Sequence, residues 1–232
     1  QEEVAYIFEK YHLISAPVID AAGRLVGQIT VDDIVNIIQE ENREDILRLA
    51  GVSDEDRGST VPEIVRGRVP WLAINLVTAS LGAGVIAFFG GTIEQIVALA
   101  ALMPIVSAIG GNAGTQALTV TVRALATREL NSSNARRTFQ RELAVGLANG
   151  LVLAPLIGVA AGWWSGDWRI GAVIASAMIL NLAIAASVGV LTPLTLSKMR
   201  QDPAVSSAVF VTATTDFFGF LIFLGLATVV LL

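Results

Sequence analysis

The sequence predicts an all-α polytopic membrane protein with five transmembrane helices, preceded by a small α/β region. Three observations carry that prediction. The 232 residues have a mean hydropathy of +0.68. Beyond about residue 68 lie five stretches of the ~20 or more mostly apolar residues needed to cross ~30 Å of hydrocarbon. The charge divides at the same place. Residues 1–68 hold fourteen of the twenty acidic residues and seven of the fifteen basic ones, a net of −7, whereas residues 69–232 hold six and eight, a net of +2. An acidic water-facing part followed by a membrane part is the simplest reading of that split.

In the first part, YHLISAPVIDAAGRLVGQITVDDIVNII reads as strand, turn, strand, helix. Asp20-Ala-Ala-Gly23 is the turn. Thr30, with Asp33 three residues later, has the spacing of a capping box that opens the following helix. Next comes QEENREDILRLAG, in which Glu40/Glu44 and Glu41/Asp45 are like-charged i,i+4 pairs. Such pairs weaken a helix by a few tenths of a kcal/mol each. Either the acids form a solvated face helped by Arg43 and Arg48, or they hold a hard divalent cation, which prefers carboxylate oxygens. Ser53-Asp-Glu-Asp56 reads as a solvated loop. The first residue is Gln rather than Met and no signal peptide opens the chain, so a piece of a longer protein is expected.

The apolar stretches fall at about residues 69–90, 94–124, 142–164, 169–197 and 203–231. The second overreaches the bilayer as a straight helix and is expected to tilt, bend or break. Basic residues set the orientation. Arg57, Arg66 and Arg68 precede the first span, and Arg123, Arg128, Arg136, Arg137 and Arg141 lie around the link from the second to the third. Lys198 and Arg200 join the fourth to the fifth, and only Arg169 lies opposite. The N-terminus is therefore expected inside and the C-terminus outside, with Trp71 at the inner interface and Trp163, Trp164 and Trp168 at the outer one. Gly146, Gly150, Ala154, Gly158 and Gly162 recur every four residues in the third span, a stripe that lets another helix approach closely. Cysteine is absent and His12 is the single histidine, which excludes disulfides, thiolate metal sites and histidine chemistry in the membrane part.

Two stretches carry candidate chemistry. In the last span Asp216 is the one charged residue between Pro203 and Leu232. Burying it at a bilayer centre costs ~2.5–3.5 kcal/mol on insertion scales, so it is expected to face a bundle interior or a water-filled cavity. No Lys or Arg lies deep in any span to pair with it, which points to a passenger cation; a protonated Asp bonded to a neighbouring helix is the alternative. Thr212 lies one turn earlier on the same face. Asp202 lies there too, ~21 Å toward the inner side, and also reads as an N-cap followed by proline. In the second span, Pro104-Ile-Val-Ser-Ala-Ile-Gly110-Gly111-Asn112-Ala-Gly114-Thr-Gln116 weakens a helix and exposes backbone carbonyls. Asn112 and Gln116 share one face of it. The alternative there is a glycine helix–helix contact through Gly110 and Gly114.

The strand–turn–strand–helix stretch resembles the second half of a cystathionine-β-synthase-type (CBS) domain. The stretch from Pro104 to Gln116, VRALATREL at Val122–Leu130 and the DPA…TTDFFG pattern from Asp202 to Gly219 resemble the MgtE family of magnesium channels, and that resemblance extends along essentially the whole chain. It implies a homodimer in the bilayer of a prokaryotic inner membrane, with a pore along the dimer axis lined by the second and fifth spans. It implies that Asp216 attracts hydrated Mg²⁺, with Thr212, Gly110, Gly111, Asn112, Gln116 and Asp202 along the pore. It implies further that Glu41, Glu44 and Asp45, on a connecting helix, bind regulatory Mg²⁺ and shut the channel. The domains expected on this basis are 1–38 (partial CBS), 39–68 (acidic connecting helix and linker) and 69–232 (pore). The family's N-terminal superhelical domain and first CBS domain have no counterpart here, so weaker closure by internal Mg²⁺ is expected. A cation-coupled secondary transporter is the rival reading. An enzyme is not expected, because Gly-x-Ser-x-Gly and HExxH are missing; nor is a nucleic-acid partner, and a membrane-anchored sensor would not need Asp216.

Overall fold

Each span becomes a helix because its apolar side chains need lipid or protein around them while its backbone must bond to itself. In the computed structural model, which describes residues 1–50, 52, 60–131, 133–199, 201–203 and 207–232 (the side chains of Glu2 and Asp45 excepted), the order is α1 (Glu2–Tyr11), β1 (Ser15–Ile19), β2 (Leu25–Thr30), α2 (Val31–Leu49), α3 (Val61–Phe88), α4 (Gly90–Gln95), α5 (Ala98–Ala126), α6 (Ala135–Ser165), α7 (Trp168–Lys198) and α8 (Ser207–Leu231). Five of these, α3, α5, α6, α7 and α8, are long and apolar enough to span a membrane. The chain is therefore a polytopic, mainly helical membrane protein with a two-stranded sheet near its N-terminus. Arg57, Arg200 and the Ser53–Asp56 loop lie outside the described residues.

The small N-terminal region follows its sequence signals closely. β1 and β2 pair antiparallel, and the turn between them places Gly23 at φ 77°, a left-handed value that glycine adopts without strain. Asp20 Oδ1 accepts the backbone N–H groups of Ala22 and Arg24, both at 2.9 Å. At the start of α2, the backbone N–H and the hydroxyl of Thr30 both donate to Asp33 Oδ2 at 2.9 Å, which holds the Asp33 carboxyl below its ordinary value of 3.8. Phe8, Ala5 and Ile34 form the core between α1, the sheet and α2. Ile14, Ile19, Leu25 and Val26 remain exposed. α2 runs without interruption across residue 38, so the acidic stretch continues the helix that the capping box opens.

In the membrane part α7 is the central element, packed against α5, α6 and α8 and the most buried of the five spans. The small-residue stripe of α6 faces it. A Cβ on Gly146 would stand 2.7 Å from the Leu182 carbonyl oxygen, one on Gly150 3.0 Å from the Ile179 Cα, and one on Gly158 3.0 Å from the Gly171 carbonyl oxygen. The second apolar stretch is interrupted near its start. The break falls at Ile96–Val97, between α4 and α5, and α5 continues as a helix through Pro104, Gly110 and Gly111. At about 43 Å for 29 residues, α5 still exceeds the bilayer thickness and must tilt.

Candidate ion-binding site

The candidate site is built on α8, whose apolar character leaves Asp216 as its one ionisable side chain. Asp216 is half-buried. Its Oδ1 accepts a hydrogen bond of 2.5 Å from the Ser107 hydroxyl on α5. On the third side stands α3, where a Cβ on Gly82 would meet the Asp216 Cβ at 3.8 Å and the Phe220 ring at 3.6 Å. The carboxylate thus sits where α3, α5 and α8 converge, and among the described residues no Lys or Arg is paired with it. An acceptor with one hydroxyl donor and no cation retains most of its lone-pair capacity for a hydrated ion.

Around this point the helices approach closely because their facing residues are small. Gly114 of α5 lies against Val211 and Thr215 of α8, where a Cβ would stand 2.5 Å from the Val211 side chain. Thr215 is fully buried and donates to the Thr212 carbonyl at 2.9 Å. Thr212 itself is exposed, one turn from Asp216. Gly110 is buried and faces α7, not the Asp216 side of the bundle. Gly111 is half-buried, and its carbonyl accepts from Thr115 Oγ1 at 2.9 Å. Asn112 and Gln116 are exposed on α5, and no side-chain hydrogen bond joins either to Asp216 among the described residues.

Of the alternatives open at Gly110–Gln116, the glycine contact with neighbouring helices is realised at Gly110 and Gly114, while Asn112 and Gln116 face outward from the single chain. Ser107 and Gly82, which complete the site, were not singled out from sequence. Ser107 lies inside the Pro104–Gln116 stretch, and a search for hydroxyls on the helix opposite the carboxylate would have found it.

A second cluster lies where α2 meets the ends of α5 and α8. Leu49 of α2 packs on Leu118 and Val122 of α5 and on Val211 of α8. Beside it, the Arg48 guanidinium bridges two carboxylates, donating to Glu44 from one nitrogen and to Asp202 from the other. The described part of α8 begins at Ser207, and residues 204–206, where a cap by Asp202 would close, lie outside the described residues. Within the described residues Asp202 forms this ion pair. Glu41 is half-buried on the same helix, and the Asp45 side chain lies outside the described residues. On α1, Tyr6 offers its ring to Arg128, whose guanidinium carbon stands 4.2 Å from the ring centroid, so the N-terminal region also touches the link between α5 and α6. Among the described residues no group of three or more carboxylate or imidazole side chains is arranged to hold a metal ion.

Residues 103–226, which contain Ser107 and Asp216, match a family model described as "MgtE: Divalent cation transporter". The chain belongs to the MgtE family. Its residues 1–40 match the CBS domain model. Three curated relatives carry the printed name "Magnesium transporter MgtE". The one from Bacillus subtilis is 35% identical over 229 residues, covering 98% of this chain and 51% of the relative. That from Thermus thermophilus is 35% identical, over 100% of this chain and 52% of the relative. That from Enterococcus faecalis is 33% identical, over 98% and 50%. The chain spans about half the length of the curated relatives it matches. Their printed names describe transporters rather than enzymes. Asp216, Thr212, Asp202 and the Gly110–Gln116 stretch all lie within the MgtE match, whereas Glu41, Glu44 and Asp45 lie between the two matched segments.

Proposed function

We propose that this chain forms the pore of a Mg²⁺-selective channel that admits the ion down its electrochemical gradient. The observation that carries the reading is the half-buried Asp216 in the middle of α8, with the Ser107 hydroxyl on it and no Lys or Arg paired with it among the described residues. Mg²⁺ is small and gives up its water reluctantly, so a pore for it needs spaced oxygen acceptors around a largely hydrated ion rather than a tight cage. Two copies of the chain about a two-fold axis supply two Asp216 carboxylates. The outward-facing Thr212, Asn112 and Gln116 then extend the polar lining along α8 and α5, and Asp202 marks the inner end. An inside-negative potential contributes ~2.3 kcal/mol per charge per 100 mV, twice that for a divalent ion, so no coupled ion is required. The N-terminus lies in the cytoplasm of a prokaryotic cell and the C-terminus outside.

Closure by cytosolic Mg²⁺ acts through α2. Its acids, Glu41, Glu44 and Asp45, repel one another and Asp202 until cations neutralise them, and Leu49 then seats on the ends of α5 and α8. This is a two-position element biased by ligand.

The test is Mg²⁺ uptake into proteoliposomes under an imposed inside-negative potential. Asp216→Asn keeps the shape and removes the charge; uptake is expected to fall by tenfold or more while the oligomeric state is retained. Uptake equal to the parent would make Asp216 a packing residue and remove the basis of the reading. The same assay with a proton or sodium gradient at fixed voltage separates the channel from a coupled transporter, whose flux follows that gradient.

A further inference from the structure

Behind the two helices proposed to line the pore, α7 places an amide in an otherwise apolar core. Asn181 is completely buried. Its Nδ2 donates to the Val106 carbonyl of α5 at 3.0 Å. Its Oδ1 is the one buried side-chain polar atom without a partner among the described residues. A carbonyl can only accept, so Val106 fixes which end of the amide faces it.

The amide fills a notch made by two glycines on two different helices. A Cβ on Gly110 of α5 would stand 2.3 Å from Asn181 Nδ2, and one on Gly219 of α8 would stand 2.9 Å from the same atom. Gly110 is three residues after Ser107, and Gly219 is three residues after Asp216. The group that wedges α5 against α8 therefore sits one helical turn from the contact that joins them at the carboxylate. Packing alone does not call for this arrangement. Leucine has the same branched heavy-atom skeleton and would leave no orphan acceptor, which is a costly group in an apolar interior. What asparagine adds is direction: one hydrogen bond that sets the rotation of α5 about its axis.

We infer that Asn181 is a positioning residue for the ion site: it holds α5 and α8 at the separation and rotation that keep the Ser107 hydroxyl on the Asp216 carboxylate. This rests on the reading of Asp216 as the ion-attracting group. Asn181 does not touch the ion; it acts through Ser107.

The experiment measures the Mg²⁺ concentration at half-maximal uptake, and the maximal rate, in proteoliposomes of the full chain. The variants are Asn181→Leu, Gly219→Ala, Ser107→Ala, the double variant Asn181→Leu/Ser107→Ala, and Asp216→Asn. Gly219→Ala displaces the amide from the other side without changing its chemistry, and serves if Asn181→Leu does not fold. Asn181→Leu and Gly219→Ala are expected to raise the half-saturating concentration about three- to tenfold, the range set by losing one hydrogen bond. Since Asn181 acts through Ser107, the double variant should match Ser107→Ala alone rather than multiply the two effects. Parental half-saturation in both Asn181→Leu and Gly219→Ala, or multiplicative effects in the double variant, overturns the inference. If that occurs while Asp216→Asn still abolishes uptake, the ion site stands and only the positioning role is lost; if Asp216→Asn transports like the parent, the underlying reading itself has failed.

Discussion

Single side chains set the chemistry of this protein, and they do so by having too few partners. Asp216 places a carboxyl group in a bilayer-spanning helix with one hydroxyl donor at 2.5 Å. Asp33, outside the membrane, is the opposite case. Its carboxyl is held below 3.8 first by the Thr30 backbone N–H and then by the Thr30 hydroxyl. A carboxyl with a depressed folded value stabilises the fold fully above its unfolded value and loses that contribution as pH falls through the folded one. Protection of the first-turn amides of α2 from hydrogen exchange should therefore be higher in the parent than in Asp33→Asn at neutral pH. The difference should shrink as pH drops below 3.8 and vanish in stronger acid. A difference that stays constant into that range would mean that the capping box contributes nothing through the ionised form. Thr30 and Asp33 were legible in the sequence because a capping box is local, spanning four residues. Ser107 was not, because its partner lies 109 residues away.

At the scale of elements, close approach governs the bundle. α6 and α7 meet through small residues, and a Cβ on Gly171 would stand 2.2 Å from the Gly158 carbonyl oxygen. A backbone atom cannot swing aside as a side chain can, so Gly171→Val must push the helices apart. The expected cost is about 3 kcal/mol, at the upper end of overpacking penalties, read as a clear fall in the thermal midpoint of the detergent-solubilised protein. Gly67→Ala, where a Cβ meets nothing within 4 Å, should leave the midpoint unchanged or raise it slightly. Equal midpoints for Gly171→Val and the parent would mean that the α6–α7 contact is looser than drawn. The Gly146-to-Gly162 stripe was readable from its four-residue repeat. Its partner helix was not, since a repeat shows that something packs there but not what.

At the scale of the whole molecule, the N-terminal region is joined to the membrane part through α2. Leu49 reaches the ends of α5 and α8, and Arg48 ties Glu44 to Asp202. A guanidinium between two carboxylates does part of what a bound divalent ion would do, so the closure proposed above would begin from a partly neutralised position. Arg48→Gln removes the guanidinium that bridges Glu44 and Asp202, and under the proposed closure α2 should need more cation to seat. The internal Mg²⁺ concentration for half-closure is expected to rise about two- to fivefold, in line with ~0.2–1 kcal/mol for a partly exposed pair. Flux recorded against internal Mg²⁺ measures this, and an unchanged half-closing concentration would disconnect Arg48 from gating.

The sequence by itself determined the five spans, the acidic N-terminal region, the strand–turn–strand–helix unit and the isolated carboxylate in the last span. Each of these depends on composition or on spacing within a few residues, where hydrophobicity, capping and turn chemistry act. It pointed to the Pro104–Gln116 stretch as unusual and to a tilt, bend or break in the second span without locating it; the helix passes through that stretch unbroken, and the interruption lies earlier, at Ile96–Val97. Only the tertiary structure decided which faces meet. It put Ser107 on Asp216, Asn181 on Val106 from 75 residues away, and Arg48 on Asp202 from 154 residues away. The physical reason is that an almost uniformly apolar helix carries little information about its own rotation. That rotation is set by the glycine notches and buried polar groups of the helices packed around it, and these come together only when the bundle forms.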